Sequence, residues 1–232
     1  DKGPSMMALF ALKALLDAGL TLKKRVRFIF GTDEETLWRC MNRYNQLEEG
    51  ADMGFAPDSS FPLTYAEKGL LQAKLIGIGD AALQLEAGQA YNVVPAKASY
   101  QGPLLADLQA ELDRLGFDYE LADGSLTVLG LSRHAKDAAK GVNAIVRLAK
   151  ALRKWSDHPT LRFIADAVGE DATGSSLFGL ITDEPSGDLS FNIAGLTLNQ
   201  DFSEIRLDIR IPVLADKEDL VETLSQKATA YH

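Results

Sequence analysis

Three consecutive acidic residues, Asp33, Glu34 and Glu35, follow a run of β-branched and aromatic residues that ends at Gly31. Ligands of open α/β sheets bind beyond the carboxyl ends of the strands, so acidic residues in this position are stronger candidates for chemistry than acidic residues on a helix face. Of two neighbouring carboxylates, one can bind a cation while the other moves protons, as metal hydrolases require. Stabilisation of the first turn of a helix by its dipole explains the same residues equally well.

Another acidic residue, Asp58, follows Pro57 at the end of residues 53–57, which we predict to be a short strand. Turn chemistry alone explains an acidic residue after proline. Together with Glu35, however, Asp58 is also a candidate for a carboxylate cluster at one edge of a sheet.

The three histidines lie in different settings. His134 stands directly between a predicted strand and a predicted helix, which makes it the histidine to consider for a functional role. His158 precedes a proline in a polar loop and His232 is the last residue of the sequence, so we interpret both as solvated side chains.

The elements that must position these residues follow from the spacing of the apolar side chains. Apolar residues three and four apart over residues 5–18 predict a helix that stops at Gly19. Residues 26–31 are β-branched and aromatic and end on glycine, which predicts a buried strand. A helix followed by a buried strand indicates an α/β unit with a mostly parallel sheet.

The pattern changes near Glu67, beyond which strands follow one another without a helix after each. The predicted strands span residues 70–78, 83–88, 98–102, 126–131, 189–198 and 205–213. The predicted helices span residues 103–116, 142–154 and 216–231. This order indicates an α+β domain with antiparallel strands and helices on one face. We therefore predict two domains, residues 1–66 and residues 67–232.

Composition excludes several classes of protein. The chain has 232 residues, of which 24 are basic and 33 acidic, and its net charge of −9 disfavours a nucleic-acid partner. Its apolar runs are far shorter than the roughly 20 residues that span a bilayer, so we expect a soluble protein without a membrane partner. A single cysteine, Cys40, excludes an internal disulfide framework and fits a reducing, cytoplasmic compartment.

Motifs spread along nearly the whole chain resemble those of one family of metallopeptidases. These motifs are Asp1-Lys2-Gly3-Pro4, Gly31-Thr32-Asp33-Glu34-Glu35, Ala56-Pro57-Asp58-Ser59-Ser60-Phe61-Pro62, Glu67-Lys68-Gly69, Gly130 to Ala135, and Gly141-Val142-Asn143-Ala144. The family includes succinyl-diaminopimelate desuccinylase, acetylornithine deacetylase, aminoacylase and Xaa-His dipeptidase. The chain is most similar to bacterial dipeptidases of the Xaa-His type.

The resemblance implies a catalytic role for four residues. Glu34 would be the general acid/base that takes a proton from a metal-bridging water and delivers it to the leaving amine. Glu35 and Asp58 would each bind one ion of a di-zinc site, in which manganese or cobalt could replace zinc. His134 would stabilise the oxyanion that forms on the scissile carbonyl.

Two further residues resemble those with which the family holds its substrate. Asn92 stands in Asn92-Val93-Val94-Pro95, and Arg210 stands in Asp208-Ile209-Arg210. A bidentate guanidinium is well suited to the C-terminal carboxylate of a peptide. Ordinary structural positions in a loop and on a strand face explain Asn92 and Arg210 without such a role.

The resemblance implies that residues 1–66 are part of a catalytic, metal-binding domain and residues 67–232 a lid domain that binds substrate. The sequence departs from the family pattern in three respects. The bridging Asp of the pattern Asp-x-Lys-Gly would precede Asp1, the two histidine ligands have no counterpart apart from the weak candidate His232, and a proline after the motif His134-Ala135 is missing. We therefore expect an incomplete chain that is inactive by itself.

The implied function is metal-dependent hydrolysis of dipeptides. An N-acyl-amino-acid deacylase or a carboxypeptidase of the same family is an alternative, because the same carboxylates would serve either reaction. A non-catalytic lid or dimerisation module is a further alternative for this chain alone. The expected partners are a small peptide substrate and, if the protein is not a monomer, a second copy bound through the lid.

Overall fold

The structure is a computed structural model that describes residues 2–34, 38–59, 62–88 and 90–231. The chain divides into two units, Asp1–Tyr65 and Ala66–His232. Within the described residues, the first unit contains helices and extended segments, and the strands all belong to the second unit. The fold class of the described chain is therefore mixed α/β, with antiparallel sheets.

The first unit begins with a helix that the apolar spacing of residues 5–18 predicts. The structure confirms it as α1 (Lys2–Asp17). The chain leaves this helix at Gly19, whose φ of 79° lies in the left-handed region that glycine adopts most easily. The second helix of this unit is α2 (Arg39–Leu47). Within the described residues, the helices lack the combination of length and hydrophobicity that a bilayer span requires.

The prediction of a mostly parallel sheet in the first unit is wrong within the described residues. Residues 26–31 and 53–57 form no strand, and the described strand pairs, all between Gly69 and Ile211, are antiparallel. A strand exists only with a hydrogen-bonded neighbour. The described part of the first unit offers none to residues 26–31, and the side chain of Phe30 is accordingly 67% exposed.

The second unit contains the strands and helices that the sequence predicts after Glu67, together with shorter elements that it does not. Its strands are β1 (Gly69–Ile78), β2 (Leu85–Ala87), β3 (Lys97–Tyr100), β4 (Tyr119–Ala122), β5 (Ser125–Leu129), β6 (Thr182–Asp183), β7 (Gly187–Asp188), β8 (Ser190–Leu198) and β9 (Phe202–Ile211). Its helices are α3 (Leu105–Leu115), α4 (Ala144–Leu152), α5 (Pro159–Arg162), α6 (Ser175–Phe178) and α7 (Lys217–Thr229), with a 3-10 helix at Ala135–Lys140 and a π-helix at Phe163–Val168.

These strands form separate antiparallel sheets. The largest has the strand order β1-β9-β8-β2, a second has the order β3-β5-β4, and β6 pairs with β7. Helices α4, α5 and α7 contact β8, β9 and β1 respectively. The predicted cap of the last helix is also confirmed, because the Asp216 side chain accepts hydrogen bonds from the first backbone N–H groups of α7.

Alternate residues of β9 point to opposite faces of the largest sheet. One set is buried and apolar and consists of Ile205, Leu207, Ile209 and Ile211. These side chains form one core cluster with the buried residues of α4 and α7. The other set is polar and consists of Glu204, Arg206, Asp208 and Arg210. The polar face of β9 is therefore the face that can present chemical groups.

A charged cluster joins α3 to the residues that follow α4. Glu111 is only 5% exposed, and its carboxylate accepts hydrogen bonds from Arg114 Nε at 3.0 Å and from Lys154 Nζ at 3.0 Å. The hydrogen bonds from Arg114, followed by those from Lys154, lower the pKa of Glu111 from 4.5 to about 2. The ionised form of Glu111 is thus favoured by the folded state.

This cluster predicts a specific dependence of stability on pH. Since the pKa of Glu111 is lower in the folded state, its contribution is complete above about pH 4.5 and disappears as the pH falls through about 2. We expect Glu111→Gln to lower the urea midpoint near neutral pH and to flatten the decline over that acidic interval. Urea unfolding at a series of pH values measures both effects.

The matched control for this prediction is Glu120→Gln. Glu120 pairs with Lys97 at 3.3 Å, but its side chain is 59% exposed, and pairs of this kind contribute little to stability. The Glu120 variant should follow the unaltered protein at every pH. A Glu111→Gln protein whose urea midpoint also follows that of the unaltered protein at every pH would contradict the stabilising role of ionised Glu111.

Candidate functional site

The two described residues of the acidic run, Asp33 and Glu34, have different surroundings. The Asp33 carboxylate accepts hydrogen bonds from Arg39 Nε at 2.7 Å, from Arg39 Nη2 at 2.7 Å and from the Arg39 backbone N–H at 2.9 Å. This pairing raises the pKa of Arg39 and holds the start of α2. Glu34, in contrast, is exposed and forms no hydrogen bond or ion pair with another described residue. Its carboxylate is available to exchange protons.

Of the two predicted metal ligands, Asp58 lies within the described residues. Asp58 is exposed, and within residues 2–34, 38–59, 62–88 and 90–231 it has no hydrogen-bond or ion-pair partner. Glu35 and His232 lie outside the described residues, as does Asp1. The described residues contain no group of three or more His, Cys, Asp or Glu side chains that could hold a metal ion. The donor chemistry of Asp58 fits zinc, but the described residues do not assemble a metal site.

In the second unit, two chain segments lie side by side and carry two of the predicted site residues. Val93 and His134 form an isolated antiparallel bridge. The backbone N–H of Val94 donates to the carbonyl of Arg133 at 2.8 Å, and the N–H of Ala135 donates to the carbonyl of Asn92 at 2.8 Å. We call residues 91–95 and 133–135 the paired loops. They place Asn92 and His134 next to each other.

The local geometry of His134 defines which of its nitrogens can act. His134 precedes the 3-10 helix, and its Nδ1 accepts a hydrogen bond from the backbone N–H of Lys136 at 3.2 Å. An accepting Nδ1 assigns the proton of the neutral ring to Nε2. Nε2 has no hydrogen-bond partner among the described residues, and the side chain is exposed. His134 therefore presents a free N–H donor, which is what a developing oxyanion requires.

The third predicted residue, Arg210, is connected to the paired loops through β8. Arg210 lies opposite Ser190 in the register of β8 and β9. The Ser190 hydroxyl donates to the carbonyl of Ala135, the residue after His134. Backbone bonds, the Ser190 hydroxyl and the strand register thus link the chain positions of Asn92, His134 and Arg210 into one connected group in the second unit. Their predicted roles in binding and catalysis stay predictions.

Two buried polar residues of this group were missed by the sequence analysis. Asn192 is 2% exposed and donates from Nδ2 to the carbonyls of Tyr91 at 3.2 Å and Val93 at 3.0 Å, on both sides of Asn92. Asp208 is fully buried beside Arg210. For Asn192 the available signal was a polar residue inside a mostly apolar strand, because buried polar groups need hydrogen-bond partners. Asp208 is one of the alternating polar residues of β9 and gave no such signal.

A small cavity of about 80 Å³ adjoins Asn192. Its walls come from the 3-10 helix, the start of α4 and the loop that includes Asp171. Burial raises the pKa of Asp171, but hydrogen bonds from the Thr173 hydroxyl and the Ser176 backbone N–H outweigh this effect and hold the pKa at about 2.

The structure contradicts the interpretation of His158 as a solvated loop residue. Its side chain is 8% exposed, and Nδ1 accepts a hydrogen bond from the backbone N–H of Thr160 at 3.3 Å. Thr160 in turn donates from its hydroxyl to Ser203 Oγ at 2.7 Å. The interpretation was wrong because His158 caps the first turn of α5, and the cap residue is covered where this turn contacts β9. Its role is structural.

Comparison with known proteins identifies the family to which this chain belongs. The sequence profile of peptidase family M20/M25/M40 matches residues 1–232, so the chain belongs to that peptidase family. The resemblance inferred from the motifs is thereby confirmed.

Curated proteins of similar sequence carry dipeptidase names. The chain is 36% identical to "Putative dipeptidase YtjP" of Bacillus subtilis (strain 168) over an alignment of 247 residues. The alignment covers 96% of the chain and 53% of that protein. It is 28% identical to "Putative dipeptidase SH1171" of Staphylococcus haemolyticus and 30% identical to "Putative dipeptidase SAB1611c" of Staphylococcus aureus, in both cases over the whole chain and 55% of the relative. The chain thus spans about half the length of the curated relatives it matches.

Proposed function

We propose that the protein is a metal-dependent dipeptidase in which the second unit binds the substrate. The observation that carries this proposal is the connected group of Asn92, His134 and Arg210, which combines an amide, a free ring N–H and a guanidinium. Membership of the peptidase family and the names of the relatives support the same reaction.

In this proposal each residue acts on a different part of the peptide. The guanidinium of Arg210 binds the C-terminal carboxylate of the substrate, and the Asn92 amide provides a further hydrogen bond. The Nε2–H of His134 donates to the carbonyl oxygen as it becomes negative in the transition state. Glu34 takes a proton from the attacking water and delivers it to the leaving amine. Each group is exposed or half-buried in its own unit, as such contacts require.

We propose zinc as the metal, with manganese or cobalt as replacements. Glu35 and Asp58 would each offer a carboxylate oxygen to one of two ions. When bound, the ions would polarise the scissile carbonyl and lower the pKa of the attacking water. The exposed and unpaired carboxylate of Asp58, among the described residues, supports its part in this assignment.

The division of labour between the units is part of the same proposal. We assign residues 1–66 to the metal-binding catalytic domain and residues 67–232 to the lid domain that binds substrate. The small number of cysteines, one in 232 residues, supports a cytoplasmic location. We propose a monomer or a homodimer formed through residues 67–232.

An assay of substrate classes tests the proposal. The protein expressed from its complete reading frame would be supplied with zinc or manganese and given free dipeptides, N-acetyl amino acids and longer peptides with a free C-terminus. We expect dipeptides to be hydrolysed with the highest kcat/KM. Faster hydrolysis of N-acetyl amino acids would instead indicate the deacylase, and faster release of C-terminal residues the carboxypeptidase. Absence of dipeptide turnover with either metal would contradict the proposed function.

A further inference from the structure

The guanidinium that we assign to the substrate carboxylate is already held by a carboxylate of its own chain. Arg210 Nε donates to Asp208 Oδ1 at 2.7 Å, and Arg210 Nη2 donates to Asp208 Oδ2 at 3.2 Å. The two bonds run in parallel, which is the bidentate geometry characteristic of arginine and carboxylate. The Asp208 side chain is 0% exposed, whereas that of Arg210 is 20% exposed. The pair therefore has a buried anionic end and a cationic end that reaches solvent.

The buried end is fixed from a second strand. Asp208 Oδ2 also accepts a hydrogen bond from Gln72 Nε2 at 3.3 Å. Gln72 lies opposite Asp208 in the register of β1 and β9. Contacts from β1 and from Arg210 of its own strand thus limit the rotation of the carboxylate, and the plane of the carboxylate determines the plane of the guanidinium.

The occupied side of Arg210 determines which side is left for a ligand. A guanidinium has five N–H groups, and Asp208 uses the one on Nε and one on Nη2. Of the three remaining N–H groups, two lie along the edge formed by Nη1 and Nη2. Nη1 has no hydrogen-bond partner within the described residues. This edge offers two parallel donors, as a second carboxylate would need.

We infer that Asp208 is a positioning residue, which orients the free edge of Arg210 toward the C-terminal carboxylate of the substrate. The inference rests on the proposed function, because it takes the dipeptide as the ligand of Arg210. Asp208 itself does not touch the substrate. By fixing the guanidinium before binding, it makes recognition selective for a planar anion over a neutral amide.

The test compares a dipeptide with its C-terminal amide in the Asp208→Asn protein expressed from the complete reading frame. Asparagine presents an NH₂ group to one of the two donors of Arg210 and breaks the bidentate pair. We expect KM for the free dipeptide to rise about tenfold, as for loss of a hydrogen bond to a charged group, with a smaller change in kcat. KM for the amide should not change, because the amide cannot use the oriented edge.

Glu204→Gln is the matched control. Glu204 lies on the same face of β9, pairs with Lys74 at 2.9 Å and has a side chain that is 15% exposed. The substitution removes a paired carboxylate of the same strand without touching Arg210. KM for the dipeptide and for its amide should both remain at the values of the unaltered protein.

A measurement that does not depend on turnover follows the Arg210 side chain itself. The ¹⁵N–¹H resonance of Arg210 Nε should exchange slowly with water in the unaltered protein and rapidly in Asp208→Asn, because the 2.7 Å bond is disturbed. Should Asp208→Asn fail to fold, Asp208→Glu provides the second variant, since it keeps the charge pair but moves the carboxylate by the length of one methylene group. A raised KM for the dipeptide alone supports the inference, and unchanged KM values overturn it.

Arg210→Gln separates failure of the inference from failure of the proposed function. If this variant raises KM for the dipeptide while a folded Asp208→Asn protein does not, the positioning role is wrong and the binding role of Arg210 stands. If Arg210→Gln leaves the preference for the dipeptide over its amide unchanged, the proposed binding role of Arg210 fails, and the positioning role fails with it.

Discussion

Replacing Glu34 by Gln should lower kcat for dipeptide hydrolysis by about 10²–10⁴-fold, the range that general acid–base catalysis contributes. The amide of glutamine can hold neither the proton taken from water nor the proton given to the leaving amine. KM should change much less, because Glu34 is proposed to act on the water and not on the bound peptide. Initial rates over a range of dipeptide concentrations, measured on protein from the complete reading frame, separate kcat from KM.

Glu48→Gln is the appropriate control for Glu34→Gln. Glu48 is an exposed glutamate of the same unit, at the end of α2, so the same chemical change is made without a proposed role in catalysis. Its kcat should equal that of the unaltered protein. A Glu34→Gln protein with undiminished kcat would remove the proton-transfer role on which the proposed reaction depends.

The second large effect is expected at His134. Asparagine places an acceptor where Nδ1 of the histidine stands, so His134→Asn should keep the hydrogen bond from the Lys136 backbone N–H and hence the start of the 3-10 helix. It cannot place a donor at the position of Nε2. We expect kcat to fall by about 10²–10³-fold, as when one oxyanion donor is removed, while the urea midpoint stays the same.

His134→Gln is the complementary variant. Its longer side chain can bring an amide N–H close to the position of Nε2, so part of the lost kcat should return. Equal activity of the Asn and Gln variants would indicate that the ring acts by some means other than donation from Nε2. A lowered urea midpoint in His134→Asn would show that the cap, rather than the donor, had been lost.

The sequence predicts the second unit well and the first unit poorly, for a physical reason. Alternation of apolar and polar residues along β9 reports burial of one face, and β8, the preceding strand in the chain, pairs with β9 directly. Residues 26–31 have an equally apolar pattern, but no described segment of their unit pairs with them. The local pattern of apolar residues indicates that a segment tends to be buried. It contains no information about whether a neighbouring strand exists.

The candidate site shows the same limit at the level of single residues. Asn92, His134 and Arg210 stand in recognisable motifs, so a resemblance could indicate them. Asn192 matters through hydrogen bonds to residues 99 and 101 positions away in the chain, and Asp208 is held by Gln72, 136 positions away, as well as by Arg210. Such partners become visible only when the strands are placed in register, and a single sequence without that register does not reveal them.

The hydrogen bonds of Asn192 constrain how the second unit can move. Its amide joins the chain on both sides of Asn92 to the beginning of β8, and the bridge between Val93 and His134 extends this connection to the second loop. The paired loops and the sheet should therefore travel as one rigid body during any opening or closing. Any flexing of the second unit would then occur outside these residues, so substitutions elsewhere in the unit should leave the alignment of Asn92 with His134 intact.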